Sequence, residues 1–267
     1  MNKIKKILSI CFSLFLLVTA AVTGTLAYEN LSAEDWALQT DLTIDIELMQ
    51  QQRAYDEKGV LTGLEDFEDN KVLIPLTESA QYDGTNFDKY GMPVAKGYVD
   101  QIVRVKNIGT ADAYVRVIVA IPAALDDANE AGNNALHWNL GNRFQAEGSF
   151  TAENNANSAF EKISWKFSQT AEVGGVMCNL YVFTYTEELK AGETTDAAAF
   201  VGFYLDSSAD VEDGKIMLDG ADTGFRDDSV KIHVEAQAVQ SYNMGSSAAA
   251  AFETAGITEN PWAEDAA

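Results

Sequence analysis

The segment from Tyr98 to Pro122, YVDQIVRVKNIGTADAYVRVIVAIP, constrains the fold of this chain more than any other. Val99, Val103 and Val105 fall on one face, with Gln101 as the exception, while Ile102, Arg104 and Lys106 point the other way. After a short gap, Ala113, Val115, Val117, Val119 and Ile121 share a face, opposed by Tyr114, Arg116, Ile118 and Ala120. Alternation with period two, rich in β-branched residues, is the pattern of half-buried strands. On a helix the same valines would scatter around the circumference. Asn107 to Asp112 reads as the turn of a β-hairpin, because Asn and Gly tolerate positive φ. Pro122 ends the second strand, since it has no N–H to give to a ladder.

The rest of the chain repeats this pattern. In Leu42 to Met49, Leu42, Ile44, Ile46 and Leu48 alternate with Thr43, Asp45 and Glu47, as in a strand. Phe160 to Phe167, Val176 to Tyr185, Ala198 to Leu205 and Val230 to Gln240 read as further strands, and Val72 to Leu76 is a short apolar run. Gln50 to Asn70 is polar and acidic and reads as loop. So do Asp126 to Gly148, which holds His137 and Trp138, and the acidic stretch Asp206 to Asp228; Leu189 to Glu193 reads as a turn. Ser246 to Ala255 is Ala-rich and reads as a short helix with Ser246 as its N-cap. About seven or eight strands and at most two short helices predict an all-β fold. The expected form is a jelly-roll-like two-sheet β-sandwich with short helices in connections. No amphipathic helices alternate with the strands, which excludes a parallel α/β fold.

The N-terminus adds a targeting signal. Lys3, Lys5 and Lys6 precede an apolar run from Ile7 to about Val22, followed by Thr25-Leu26-Ala27. A basic start, a short apolar run and small residues at −3 and −1 predict a secretory signal peptide cleaved between Ala27 and Tyr28. The run falls short of the ~20 residues that a spanning helix needs. The expected organisation is a signal peptide over 1–27, an N-terminal arm over 28–41, a jelly-roll domain over 42–245, and a short C-terminal helix and tail over 246–267. The expected destination is the extracellular matrix or cell surface, with membrane contact through the uncleaved signal peptide alone. Losing the three signal-peptide lysines takes the formal net charge from −23 to −26. Such a chain does not bind nucleic acid or an anionic membrane by net charge. One cysteine, Cys178, remains after cleavage, so no internal disulfide forms; in an apolar segment it reads as a small buried hydrophobe.

Chemistry-bearing motifs are sparse. The two histidines, His137 and His233, belong to no H-E-x-x-H pattern, and no G-x-S-x-G, P-loop or G-x-G-x-x-G occurs. The expectation is a protein that is not an enzyme and holds no cofactor. Asp206, Asp210, Glu212, Asp213, Asp219, Asp222, Asp227 and Asp228 offer hard oxygens of the kind that ligate Ca²⁺, but without EF-hand spacing. A solvated acidic loop is the preferred reading there. Arg104, Lys106 and Arg116 stand out as cations on one side of the hairpin in a strongly acidic protein. They read either as surface ion pairs or as a docking surface for an acidic segment of another subunit.

The signal ending Gly24-Thr25-Leu26-Ala27-Tyr28 resembles the substrate of a SipW-type signal peptidase. The segment VDQIVRVKNIGTADAYVRVIVAIP, the segment LYVFTYTEELKAGETTDAAAFVGFYLD from Leu180 to Asp206, and the closing VKIHVEAQAVQ resemble the TasA/camelysin family of Gram-positive bacteria. The resemblance implies a secreted jelly-roll subunit that assembles into biofilm fibres by donor-strand exchange. Its implied partners are further copies of itself, the signal peptidase and an accessory matrix protein. Camelysin is classed as a metalloprotease, but this sequence offers no recognisable zinc ligands. After the cleavage site the chain departs from the family, with Glu29-Asn30-Leu31 in place of an aromatic-polar start. The expected function is therefore a structural subunit of a biofilm matrix or surface fibre, built by β-strand addition with residues 28–41 as donor. The alternative is a monomeric surface adhesin or ligand-binding sandwich, marked by an exposed tryptophan platform at Trp138. A metal-dependent hydrolase is a third class.

Overall fold

A computed structural model describes residues 42–68, 71–75, 97–126, 134–138 and 162–263. The expected signal peptide, its cleavage site at Ala27 and Tyr28, and the arm 28–41 lie outside the described residues. The strands are β1 (Ile46–Tyr55), β2 (Leu61–Asp66), β3 (Val99–Asn107), β4 (Ala113–Pro122), β5 (Leu136–Trp138), β6 (Ile163–Val173), β7 (Val176–Tyr185), β8 (Phe200–Leu205), β9 (Ala209–Glu212), β10 (Lys215–Leu218), β11 (Ala221–Arg226) and β12 (His233–Gln240); helix α1 spans Ala248–Ala255. Sheet 1 has the order β2-β1-β3-β8-β5, sheet 2 the order β12-β4-β7-β6, and a small third sheet the order β11-β10-β9. The chain is an all-β two-sheet sandwich whose connections repeatedly pass from one main sheet to the other, as in a jelly roll.

The expected hairpin at Tyr98 to Pro122 is an arch instead. β3 lies in sheet 1 and β4 in sheet 2, so the two strands face each other across the core and do not pair. The backbone gives the reason. No residue from 107 to 112 has positive φ, whereas the tight hairpins β6–β7, β9–β10 and β10–β11 place two such residues in their turns: Gly174-Gly175, Asp213-Gly214 and Asp219-Gly220. Asn107 shapes the arch through its side chain, donating from Nδ2 to the carbonyls of Ala111 (2.8 Å) and Leu189 (3.1 Å). The preceding chain braces it from outside, as the N–H groups of Ile108 and Gly109 donate to Asp45 O and those of Thr110 and Ala111 to Thr43 O. A Cβ on Gly109 would collide with this backbone, at 2.7 Å from Asp45 N.

The arch lets both valine rows enter one core. Val103 and Val105 of β3 meet Val115, Val117, Val119 and Ile121 of β4, together with Tyr181 and Phe183 of β7 and Phe200 and Leu205 of β8. Each such buried side chain contributes about 1.5–3 kcal/mol relative to exposure. β4 is buried along its whole length, because its outer residues Ile118 and Ala120 join a second cluster with Cys178, Leu180 and Val182. Cys178 is buried as expected, and burial pushes its thiol up to about 11.

Two expected loops contain strands. Gln50 to Tyr55 extends β1 beyond Met49, and Leu61 to Asp66 pairs with it as β2. Asp56 closes the connection by accepting from the N–H groups of Lys58 and Val60. Polar residues persist here because partners satisfy them: Arg53 grips Asp100 through Nε (2.7 Å) and Nη2 (2.6 Å). The acidic stretch Asp206 to Asp228 forms the third sheet, whose turns are Asp-Gly pairs and whose Ala209, Val211, Ile216, Leu218 and Phe225 pack on the core. His137 and Trp138, placed in a loop by sequence, sit on β5 beside β8. The expected strand Phe160 to Phe167 runs instead over Ile163–Val173. Helix α1 is capped by Ser247, not Ser246, with its Oγ accepting from Ala250 N, and Gly256 at φ 66° ends it.

Candidate assembly interface

The sandwich closes unevenly. On β4 the inward residues Val115, Val117, Val119 and Ile121 are at most 2% exposed. One strand further out, β12 carries the inward row Val234, Ala236 and Ala238, preceded in sequence by Val230 and Ile232, all packed on the core but half-buried. In sheet 1 the residues Ile44, Ile46 and Leu48, at and before the start of β1, are half-buried too. Among the described residues β12 pairs with β4 alone, so one side of its backbone hydrogen-bonds to no strand, although β1 of the other sheet lies close by. This flank thus combines an unpaired backbone edge with apolar rows that the sandwich leaves partly open to water. Along β1 the apolar row gives way to amides. Gln101 Nε2 donates to Gln50 Oε1 at 2.8 Å, and Gln52 Nε2 donates to Glu65 Oε1 at 2.9 Å.

The opposite edge of sheet 2 differs. β6 carries a bulge between Phe167 and Gln169, and Phe167 is 40% exposed against Tyr181. A bulge and Lys166 are features that blunt an edge strand against pairing.

The structure separates the three cations that sequence reasoning grouped on one side. Arg104 and Lys106 lie on β3 in sheet 1, and Arg116 lies on β4 in sheet 2. Lys106 stands 4.0 Å from Glu47, an exposed pair of little energetic weight. Arg104 is half-buried, with a buried Nε that has no partner among the described residues. Arg116 is 5% exposed beneath the C-terminal segment. Its Nε donates to Gln237 Oε1 (2.8 Å), its Nη2 to the carbonyls of Ile257 (3.0 Å) and Thr258 (2.8 Å), and its guanidinium lies 4.2 Å from the centroid of the Phe252 ring. Burial pushes Arg116 below its ordinary value, with the nearby Glu259 charge acting against that shift. Sequence reasoning missed this anchor because its partners lie more than a hundred residues downstream.

The remaining candidate groups are built into the core. Trp138 is 4% exposed, packed edge-on or tilted among Trp165, Tyr181 and Phe183, so it offers no platform to a glycan. Its Nε1 donates to Asp126 Oδ1 at 3.2 Å, while Asn179 Nδ2 (3.0 Å) and Tyr181 OH (2.7 Å) donate to Asp126 Oδ2. Burial pushes the Asp126 carboxyl up, and these donors oppose that rise. His137 Nε2 lies 2.8 Å from Asp206 Oδ2, and Ser208 Oγ donates to Asp206 Oδ1 at 2.5 Å. Both groups address the carboxylate rather than each other, so this cluster lacks the nucleophile–base contact of a hydrolase. In the acidic stretch, Asp222 pairs with Lys215 and Asp228 with Arg226. Among the described residues no three His, Cys, Asp or Glu side chains converge as metal ligands.

Compared with known proteins, the chain matches no family model and no curated protein. The fold, and the half-closed flank between β1 and β12 within it, therefore carry the functional argument.

Proposed function

We propose that this chain is a secreted structural subunit of a biofilm matrix or surface fibre that assembles by β-strand addition. The observation that carries the reading is the flank itself: among the described residues β12 keeps one backbone edge without a strand partner, beside an apolar row that is only partly buried. An added strand gains affinity from the main-chain hydrogen bonds and register from alternating side chains. Residues 28–41 are the donor in this reading. The chain reaches β1 through Thr43 and Asp45, at the arch end of the sandwich. Fully extended, fourteen residues span roughly 46 Å, more than the ~27 Å of an eight-residue strand. The signal-like N-terminus and the resemblance to the TasA/camelysin family support secretion and self-assembly. Electron microscopy of residues 28–267 against residues 42–267 tests the proposal. Fibres from the longer form and dispersed particles from the shorter one are expected, and equal polymerisation of both forms removes the donor role of the arm.

A further inference from the structure

The described arginines that the fold draws under cover are Arg53, Arg104 and Arg116, and two of them are answered. Arg53 grips Asp100, and Arg116 holds Gln237 and the carbonyls of Ile257 and Thr258. Arg104 is half-buried with its Nε fully covered, and among the described residues its guanidinium meets no acceptor and no acid. A covered donor without an acceptor is a net cost to the fold. Val103 and Val105 point into the core, so Arg104 points to the outer face of sheet 1, where register sets it opposite Met49 of β1. Glu47, the acid that β1 carries on this face, is opposite Lys106 and stands 4.0 Å from it. The sandwich itself therefore supplies no carboxylate to Arg104.

We propose that residues 28–41 fold back over the outer face of sheet 1 and set the Glu34-Asp35 pair on Arg104. This segment carries Glu29, Glu34, Asp35 and Asp41 and no lysine or arginine, the complement of an unanswered cation. It joins the sandwich at the arch, where Thr43 N donates to Thr110 Oγ1. From Thr43 to Met49, the partner of Arg104, is about 20 Å of strand. Asp35 precedes Thr43 by eight residues, roughly 26 Å when extended, so it reaches back to Arg104, whereas Asp41 is too near the arch to do so. A carboxylate there makes charge-assisted hydrogen bonds with the guanidinium. The consequence for assembly rests on the reading of residues 28–41 as donor: a segment laid on its own sheet 1 is withheld from β12 of another copy, so Arg104 holds the chain in an unassembled state.

Paramagnetic broadening in NMR tests the docking without fibres. A nitroxide is attached through Ser32→Cys in residues 28–267 carrying Ala236→Lys, a charge on the β12 edge that blocks strand addition. Cys178 is buried with its thiol pushed up to about 11, so the label goes to position 32. The amide signals of residues 48–50 and 103–105 are expected to lose most of their intensity, and Arg104→Gln to restore it. Arg104→Glu should abolish the broadening, and Glu34→Lys with Asp35→Lys in the same chain should bring it back. Broadening along β12 instead, no broadening, or the same broadening in Arg104→Gln overturns the proposal. So does broadening that arises only between a nitroxide on one chain and an isotope label on another, which assigns the segment to a second copy. Docking in a chain whose parent forms no fibres upholds the proposal and removes the assembly reading, so the two failures are told apart.

Discussion

The inward rows of β4 and β12 are built from the same kind of aliphatic alternation and meet different fates. β4 has a strand on each side and the arch strand β3 in the opposite sheet, and its row is dry. Among the described residues β12 pairs with one strand, and its row is half-buried opposite the similarly half-buried start of β1. Pattern decides which residues point inward; position in the sheet order decides how completely they are covered. A closed centre holds the fold, and the flank is where the proposed assembly would act.

Substitutions at the two places should separate these roles. The largest effect belongs to the centre, where Phe183→Ala should cost about 3–5 kcal/mol in urea unfolding. Arg116→Met leaves the core intact but removes charged hydrogen bonds to the C-terminal segment. It should loosen α1 by about 1.5–3 kcal/mol, read as faster amide exchange over 248–262 with β4 unchanged. On the flank, Val234→Ala should cost about 1 kcal/mol or less, because the side chain is only partly removed from water. A flank substitution as costly as the central one would contradict the comparison.

The smallest expected effect is a pH dependence with a definite sign. Burial pushes the Glu259 carboxyl up, but hydrogen bonds from Lys166 and Ser168 and the charges of Lys166 and Arg116 outweigh it and hold the group below its ordinary value of 4.5. Its contribution is therefore present above that value and is lost as pH falls through the lowered folded-state value. Asp126 is shifted up, so its contribution is present below its ordinary value of 3.8 and is lost as pH rises through the raised one. Amide exchange over the C-terminal segment should quicken below about pH 4.5, and the β7 amides near Asp126 should not follow it.

Much of this architecture was legible in the sequence. Period-two runs placed β3, β4 and β12 and the faces they bury, and β7 has the bounds that its apolar run gave it. Pairing was not legible. Alternation is the same whether two strands pair or face each other, and the arch was distinguishable from a hairpin through φ alone. The third sheet did announce itself in Asp213-Gly214 and Asp219-Gly220, a strong hairpin signal that the surrounding acidity obscured. The polar half of β1 hid because Gln52 and Arg53 owe their burial to Glu65 and Asp100 on other strands. The anchor at Arg116 was hidden for the same reason, since helix α1 and residues 257–259, which meet it, lie far along the chain.

The central claim is that copies of this chain join at the open flank beside β12. Electron microscopy of residues 28–267 carrying Ala236→Lys tests it most directly, because an inward-pointing charge on an edge strand blocks the addition of another strand. The account predicts that the parent chain forms fibres and that the variant, folded by circular dichroism, does not. Fibres of the same abundance and width from the folded variant would contradict it.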